Sequence, residues 1–367
     1  MALSPLFTKV SFGDLAGWQG DDKSAAYEAF RRSAVQSLVK PYRSGALGVD
    51  FGAFAPAYDE ARRKPELAGD AARAFFERHF VPHRISPEDG GQGFVTGFYE
   101  PEVEASPVRT DRFRVPLLSR PADLVDVNDA DRPVGLDPYF AFGRATAGGI
   151  VEYHDRGAIE RGALDGMGLE IAWLADPVDA FFIHVQGAAR LLMTDGTVKR
   201  VTYAAKTGHR FTGPGGVLVR LGELALPDVT MQSIRRWFRD NPGRIEDILW
   251  RNRSYIFFRE APVEDDPLGP VAAAKVPLTP GRSVAVDRLL HTFGTPFFIE
   301  APTLSAFGDG GFSRLMIAQD TGSAITGPAR GDLFAGSGAE AGEIAGVVRH
   351  PAAFCAFIPR PLVEGVR

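Results

Sequence analysis

The sequence predicts a mainly β protein, a β-rich α+β fold with a few N-terminal helices. Three observations predict it. Glycine and proline are frequent, at 41 and 27 of 367 residues, against ordinary usage of about 7% and 5%, so the chain turns often. Short runs rich in β-branched and aromatic residues recur between those turns. Clear helical periodicity is concentrated in the first eighty residues. At roughly 100–200 residues per domain, the length suits two domains, or one carrying a large insert. Hydrophobic residues make up 45% and charged residues 24%, enough apolar surface for a sizeable core.

Taken in order, residues 22–40 predict a helix, with Tyr27, Phe30, Ala34 and Leu38 on one face. Residues 70–80 predict a second, carrying Phe75, Phe76 and Phe80. Gly90, Gly91, Gly93 and Gly97 then lead through a strand at Gln92–Tyr99 into Glu100-Pro101. From 107 to 250, β-type runs such as Ala180–Val185 alternate with glycine turns. Asp195-Gly196 signals a hairpin between Arg190–Met193 and Val198–Val201. A helix at about 230–240 presents Met231, Ile234, Trp237 and Phe238, and Asn241-Pro242-Gly243 stops it. The acidic stretch Pro262–Pro267 predicts a surface loop. Strands are then expected at Ser283–Val286, Pro296–Glu300, Phe312–Ala318 and Ala353–Ile358, the pattern of a barrel or sandwich.

Several functions are disfavoured. A net charge of −5 argues against nucleic acid as a partner. Arg235, Arg236 and Arg239 fit a solvated helix face. The single cysteine, Cys355, lies in an apolar run and should pack as a small hydrophobe. No stretch approaches 18 apolar residues. The first residues, Met1–Lys9, carry neither a signal-peptide core nor a lipid-acceptor cysteine. His79 and His83 are four apart, but Pro82 between them spoils a helical ligand pair, and no metal or cofactor is expected. Neither a phosphate-binding glycine loop nor a Gly-x-Ser-x-Gly elbow occurs.

Residues 315–334 are the densest in chemistry. An apolar strand, Leu315–Ala318, ends at Asp320; glycines and small residues follow, then Asp332. A carboxyl beside an apolar wall loses solvation in its charged form, so its pKa rises, as a general acid requires. A turn-capping role explains Asp320 equally well on pattern alone. Asp320-Thr321-Gly322-Ser323 also matches the aspartic-protease motif. That chemistry needs two aspartates sharing a proton, and a second such motif is missing.

Six segments in one order carry a resemblance. They are Thr96-Gly97-Phe98-Tyr99-Glu100-Pro101, Phe182–Gly187, Tyr203–His209, Met231–Trp237, Ser254–Phe258, and the C-terminal set Asp287, Asp320, Asp332 with Gly336–Gly342. Together they resemble the membrane-bound lytic murein transglycosylase A family, whose C-terminal region is a three-aspartate domain. The resemblance implies a double-psi β-barrel from residues 1–105 plus 251–367, with the three-aspartate region at about 283–358. It implies a second β domain inserted at 106–250, and a groove between the two that binds a glycan strand.

The implied reaction cleaves the β-1,4 bond between N-acetylmuramic acid and N-acetylglucosamine in peptidoglycan without adding water. The muramic 6-hydroxyl attacks its own anomeric carbon and leaves a 1,6-anhydro sugar. Asp320 would serve as acid and then as base. Asp332 would tune it or bind sugar, and Asp287 would hold a barrel loop. Thr96, Tyr99, Glu100, Gln186, Lys206 and Gly208 would contact substrate. Phe98 stands where the family usually has tyrosine. The resemblance places such an enzyme in the periplasm, associated with the outer membrane, as a monomer, with wall-synthesis or division proteins as candidate partners. Two other readings stay open: a non-catalytic, expansin-like wall binder, and a true hydrolase using Glu100 or Asp332 to activate water.

Overall fold

The computed structural model describes residues 2–87, 90–128, 130, 132–263, 268–308 and 310–364. The acidic segment 264–267, expected as a surface loop, lies outside the described residues. The chain forms two compact units, named for their order in the sequence: the outer, Met1–Tyr99 with Asp265–Arg367, and the inner, Glu100–Glu264, inserted between those segments.

The first segment of the outer unit runs β1 (Phe7–Lys9), α1 (Ser24–Val39), α2 (Ala55–Arg63), α3 (Gly69–His79), β2 (Phe80–Ile85) and β3 (Gly93–Glu100). The inner unit holds β4 (Glu102–Ser106), β5 (Val115–Leu118), β6 (Leu124–Asp126), β7 (Phe142–Thr146), β8 (Gly149–Val151), β9 (Glu170–Leu174), β10 (Ala188–Met193), β11 (Val198–Lys206) and β12 (Ile256–Ala261). The chain then returns to the outer unit through β13 (Ser283–Val286), β14 (Pro296–Ala301), β15 (Phe312–Asp320), β16 (Arg330–Ser337) and β17 (Arg349–Pro359).

In the outer unit the strands hydrogen-bond in the order β1-β2-β17-β14-β15-β13-β16-β3. β17 also pairs with β3, Arg349 opposite Thr96 and Ala352 opposite Gly93. Six strands, β17, β14, β15, β13, β16 and β3, therefore close on themselves and leave no free edge among them. Within this ring β13 and β15 run parallel. An aromatic core backs it: Tyr27, Phe30, Phe54, Phe75, Phe76 and Phe80 are fully buried. Tyr27 and Phe75 meet edge to face at 4.9 Å between centroids, and Phe30 and Phe80 at 5.7 Å, the arrangement that ring quadrupoles favour. Leu38, expected on the same face of α1, is instead 68% exposed. The buried stripe of the helix runs through Ala26, Ser33 and Ser37, so in the last turn Ser37 faces inward and Leu38 does not.

The inner unit is built on a six-stranded sheet, β12-β11-β10-β4-β9-β5, and a three-stranded sheet, β6-β7-β8. The hairpin across Asp195-Gly196 forms, Ala188 opposite Thr202 and Leu192 opposite Val198. The run Ala180–Val185 is not a strand. It belongs to the helix Pro177–Gln186, whose Asp176 side chain caps the Val178 amide and whose end is turned by Gly187 at φ 78°. The start signal was Asp176-Pro177, an N-cap followed by proline in the first turn. It outweighs the strand preference of the aromatic and β-branched run, because the helix buries Phe181, Phe182 and Ile183 in apolar clusters of this unit.

Candidate active site

Three adjacent strands place the two carboxylates. Ala285 on β13 lies opposite Asp332 on β16 and opposite Asp320 on β15. Residues directly opposite share a face of the sheet, so Asp320 and Asp332 flank a methyl group. At about 4.8 Å per strand, their α-carbons lie roughly 10 Å apart. Ala285 itself belongs to a small apolar cluster with Phe98, Leu278 and Phe334.

A β-bulge decides which way Asp320 points. Val284 pairs with Ala318, but the next residue, Ala285, pairs with Asp320, so Gln319 is skipped. Ala318, Val284 and Val286 face the main core. Unbroken pairing would set Asp320 opposite Val286 and send its carboxyl into that core. The bulge re-aims it to the Ala285 face, a frequent use of bulges beside active sites. Gln319 holds the irregularity in place. It is fully buried, accepts from Ser283 Oγ at 2.6 Å, and donates to the Ala29 carbonyl at 2.7 Å and Ser33 Oγ at 2.9 Å.

The electrostatics distinguish the two aspartates. Burial lifts the Asp320 carboxyl to a pKa of about 6, and the Asp332 charge adds to the rise. The amides of Thr321 and Ala273 and the charge of Lys275 oppose it; the Ala273 amide donates to Oδ1 at 3.2 Å. Ala273 and Lys275 share a turn closed by Lys275 N to the Ala272 carbonyl at 2.9 Å. Lys275 adopts φ 62° there, the one non-glycine residue at positive φ among the described residues. Asp332 is raised by burial too, but the Thr96 hydroxyl and the Arg330 charge pull it back. Thr96 donates to Asp332 Oδ1, and Arg330 Nη2 donates to Thr96 Oγ1 at 2.7 Å.

The other residues singled out in the sequence have defined places. Asp287 directly follows β13 and accepts from the Leu289 amide and the Gly327 amide, both at 3.0 Å. It thereby anchors the loop that joins β15 to β16, the two carboxylate-bearing strands. Tyr99 is buried, its ring so close to Gly342 that an added Cβ there would meet Tyr99 Cε2 at 2.9 Å. Glu100 is fully buried. Its carboxylate meets Arg200 Nε at 2.7 Å and Arg190 Nε at 3.2 Å, a triad that satisfies buried charge. In the inner unit Gln186 is half-buried at its helix end. Lys206 Nζ stands 5.6 Å from the centre of the Tyr139 ring. Gly208 has φ 88°, and a Cβ there would meet the Phe142 carbonyl at 2.8 Å, so only glycine fits.

Sequence reasoning singled out the aspartates and Thr96 but not Arg330, Ala285, Lys275 or the Glu100 arginines. Ala285 and Arg190 lie in plain strand patterns and carry no local signal. Arg330, two residues before Asp332 in a strand and so on its face, offered one.

Residues 94–259 match the family described as "MltA specific insert domain", and residues 282–357 the "3D domain". A membrane-bound lytic murein transglycosylase from Agrobacterium tumefaciens has a crystal structure similar to this one, at 52% identity and TM-score 0.92, covering 98% of this chain and 99% of that one. The MltA structure from Neisseria gonorrhoeae (monoclinic form) is 31% identical, with TM-score 0.77, 96% of this chain and 92% of that chain covered. The curated membrane-bound lytic murein transglycosylase A of Vibrio cholerae is 34% identical over 205 residues. That match spans 53% of either protein, about half of the relative's length.

Proposed function

This chain belongs to the membrane-bound lytic murein transglycosylase A family, and from that membership we propose that it cleaves peptidoglycan by forming 1,6-anhydro-muramic ends. Asp320 is the acid and the base. In its protonated form it gives its proton to the glycosidic oxygen as the C1–O4 bond breaks. As carboxylate it takes the proton from the muramic 6-hydroxyl while O6 bonds to C1. No water enters, and the proton balance closes on one side chain. Holding the nucleophile within the substrate lowers the entropic barrier.

The observation that carries this reading is the carboxyl of Asp320, re-aimed by a bulge, with its pKa lifted to about 6. A carboxyl with that affinity is protonated often enough to act as an acid, and ionised often enough to act as a base, near neutral pH. Asp332, an acceptor on the same face, keeps the proton on Asp320. Asp287 shapes the loop between the two strands. Glu100 acts as an ion-pair anchor rather than a sugar contact, because both of its oxygens meet arginines. Tyr99, Gln186, Lys206 and Gly208 form or frame sugar contacts. The closed six-stranded ring with one parallel pair supports assigning the double-psi β-barrel to the outer unit. The setting is the cell envelope. No helix among the described residues is long and apolar enough to cross a membrane.

A hydrolase reading draws on one observation, a second carboxylate, Asp332, on the face that carries Asp320, since most glycosidases work with a pair of carboxyl groups. One experiment separates the two readings. Purified peptidoglycan digested by the wild-type protein is expected to give muropeptides lighter by one water (~18 Da) than hydrolysed ones, and Asp320→Asn to give none. The initial rate should fall as pH rises through about 6, where Asp320 loses its proton. Hydrated products from the wild type overturn the anhydro mechanism. Activity in Asp320→Asn overturns the role of that aspartate.

A further inference from the structure

Arg330 opens β16 and stands two residues before Asp332, so both side chains lie on one face of the strand. It is half-buried. Nη2 donates to Thr96 Oγ1 at 2.7 Å, Nη1 donates to the Gly331 carbonyl, and the guanidinium carbon lies 5.7 Å from the Phe94 ring centre. Phe94 and Thr96 are themselves two apart on β3, the strand beside β16. The guanidinium is thus held on three sides.

Hydrogen-bond capacity turns this geometry into a direction. A guanidinium only donates. Its bond to Thr96 therefore occupies a lone pair of the hydroxyl and leaves the single hydroxyl proton to be given elsewhere. The acceptor is Asp332 Oδ1. The relay runs one way, from Arg330 through Thr96 to Asp332.

We propose that Arg330 is a positioning residue of this site: acting through Thr96, it fixes Asp332 as an ionised acceptor on the face that also carries Asp320. The inference rests on the reading of Asp320 as the acid and base. Arg330 need not touch the substrate. It sets the charge state of a neighbour, and that neighbour sets how firmly Asp320 holds its proton. The groups around each carboxyl fit this role. Asp320 faces the charge of Asp332 from β16, Lys275 from the turn at Ala272–Lys275, and the uncharged Ala285 from β13. Asp332 faces Thr96 from β3, Arg330 on its own strand, and Ala285 from β13. Burial raises Asp332, whereas Thr96 and Arg330 lower it. Removing either of those two should let Asp332 take a proton, and Asp320 would then lose the charge that helps it keep its own.

The test is the pH profile of kcat/KM on purified peptidoglycan for the wild type, Arg330→Gln, Thr96→Val and the double variant. Both single variants are expected to move the alkaline limb to lower pH by about half a unit, so the rate at pH 7 falls roughly threefold further than the rate at pH 5. KM should stay within about twofold, and the double variant should shift no further than either single one, as members of one relay do. Arg330→Lys keeps a charge without the planar fork and should fall between wild type and Arg330→Gln. An equal loss at every pH, or independent shifts that add in the double variant, overturns the relay. Should Arg330→Gln not fold, Thr96→Val decides alone, since it keeps the shape and removes only the hydroxyl. An unmoved limb with Asp320→Asn inactive sinks this inference and spares the assignment of Asp320. An active Asp320→Asn sinks both.

Discussion

At the scale of single residues, the site combines sequence features that local patterns announce with others they do not. Asp320 stands out in the sequence because an apolar strand ends at it before small residues and glycines, whereas Asp287 is marked by the resemblance to the three-aspartate domain. Thr96 stands out through the motif Thr96–Pro101, which says nothing of the bond it makes to Asp332. Lys275 was invisible, because a backbone angle leaves no mark in composition. A side chain at φ 62° meets its own carbonyl oxygen and costs about 1–2 kcal/mol. Lys275→Gly removes that strain and adds about 0.5–1 kcal/mol of unfolded-chain entropy. Its net effect on stability should lie between zero and about +1.5 kcal/mol, read as an unchanged or raised Tm. Its catalytic cost should be the visible one: the Lys275 charge opposes protonation of Asp320, so its loss moves the alkaline limb to higher pH. A clear drop in Tm would show that the turn needs the lysine.

Elements tell a sharper story about what a sequence states. Expected strands at Ser283–Val286 and Pro296–Glu300 appear as β13 and β14 within one residue. Continuous apolar runs bounded by turns leave little else for a buried strand to be. The helix Pro177–Gln186 went the other way, because short apolar runs fit either period and its cap signal was small. The bulge at Gln319 could not be read in advance, since it exists only in the pairing of Val284 with Ala318 and of Ala285 with Asp320, residues of two separate strands. That element yields its own prediction. Gln319→Ala removes the bonds to Ser283, Ala29 and Ser33 and leaves a buried hydroxyl and carbonyl short of partners, a cost of about 1–3 kcal/mol. Chemical denaturation should show that loss, with activity falling further than stability alone explains, because Asp320 is no longer held on its face. Activity unchanged in a destabilised variant would show that the bulge persists without its glutamine.

On the scale of the whole molecule, the two units differ in how their sheets are assembled. The inner unit draws its six-stranded sheet from residues 102 to 261 and fills it with its own apolar clusters. A fragment spanning residues 100–263 should fold by itself and show one cooperative melt with far-UV β signal; a fragment that stays unfolded would mean its core depends on the rest. The outer unit takes strands from both flanks of that insert. β17 bonds to β2, β3 and β14 at once, so contacts span most of the sequence and the loops to be closed are long. Thr96 and Asp332 are 236 positions apart. During synthesis, then, the front portion waits with its strands unmated while the insert matures ahead of it. The ring can shut only once residues 349–359 have been made, and a chain cut short before that point leaves β3 and β14 without their shared partner. The strand that completes the ring is thus among the last parts of the chain to be made.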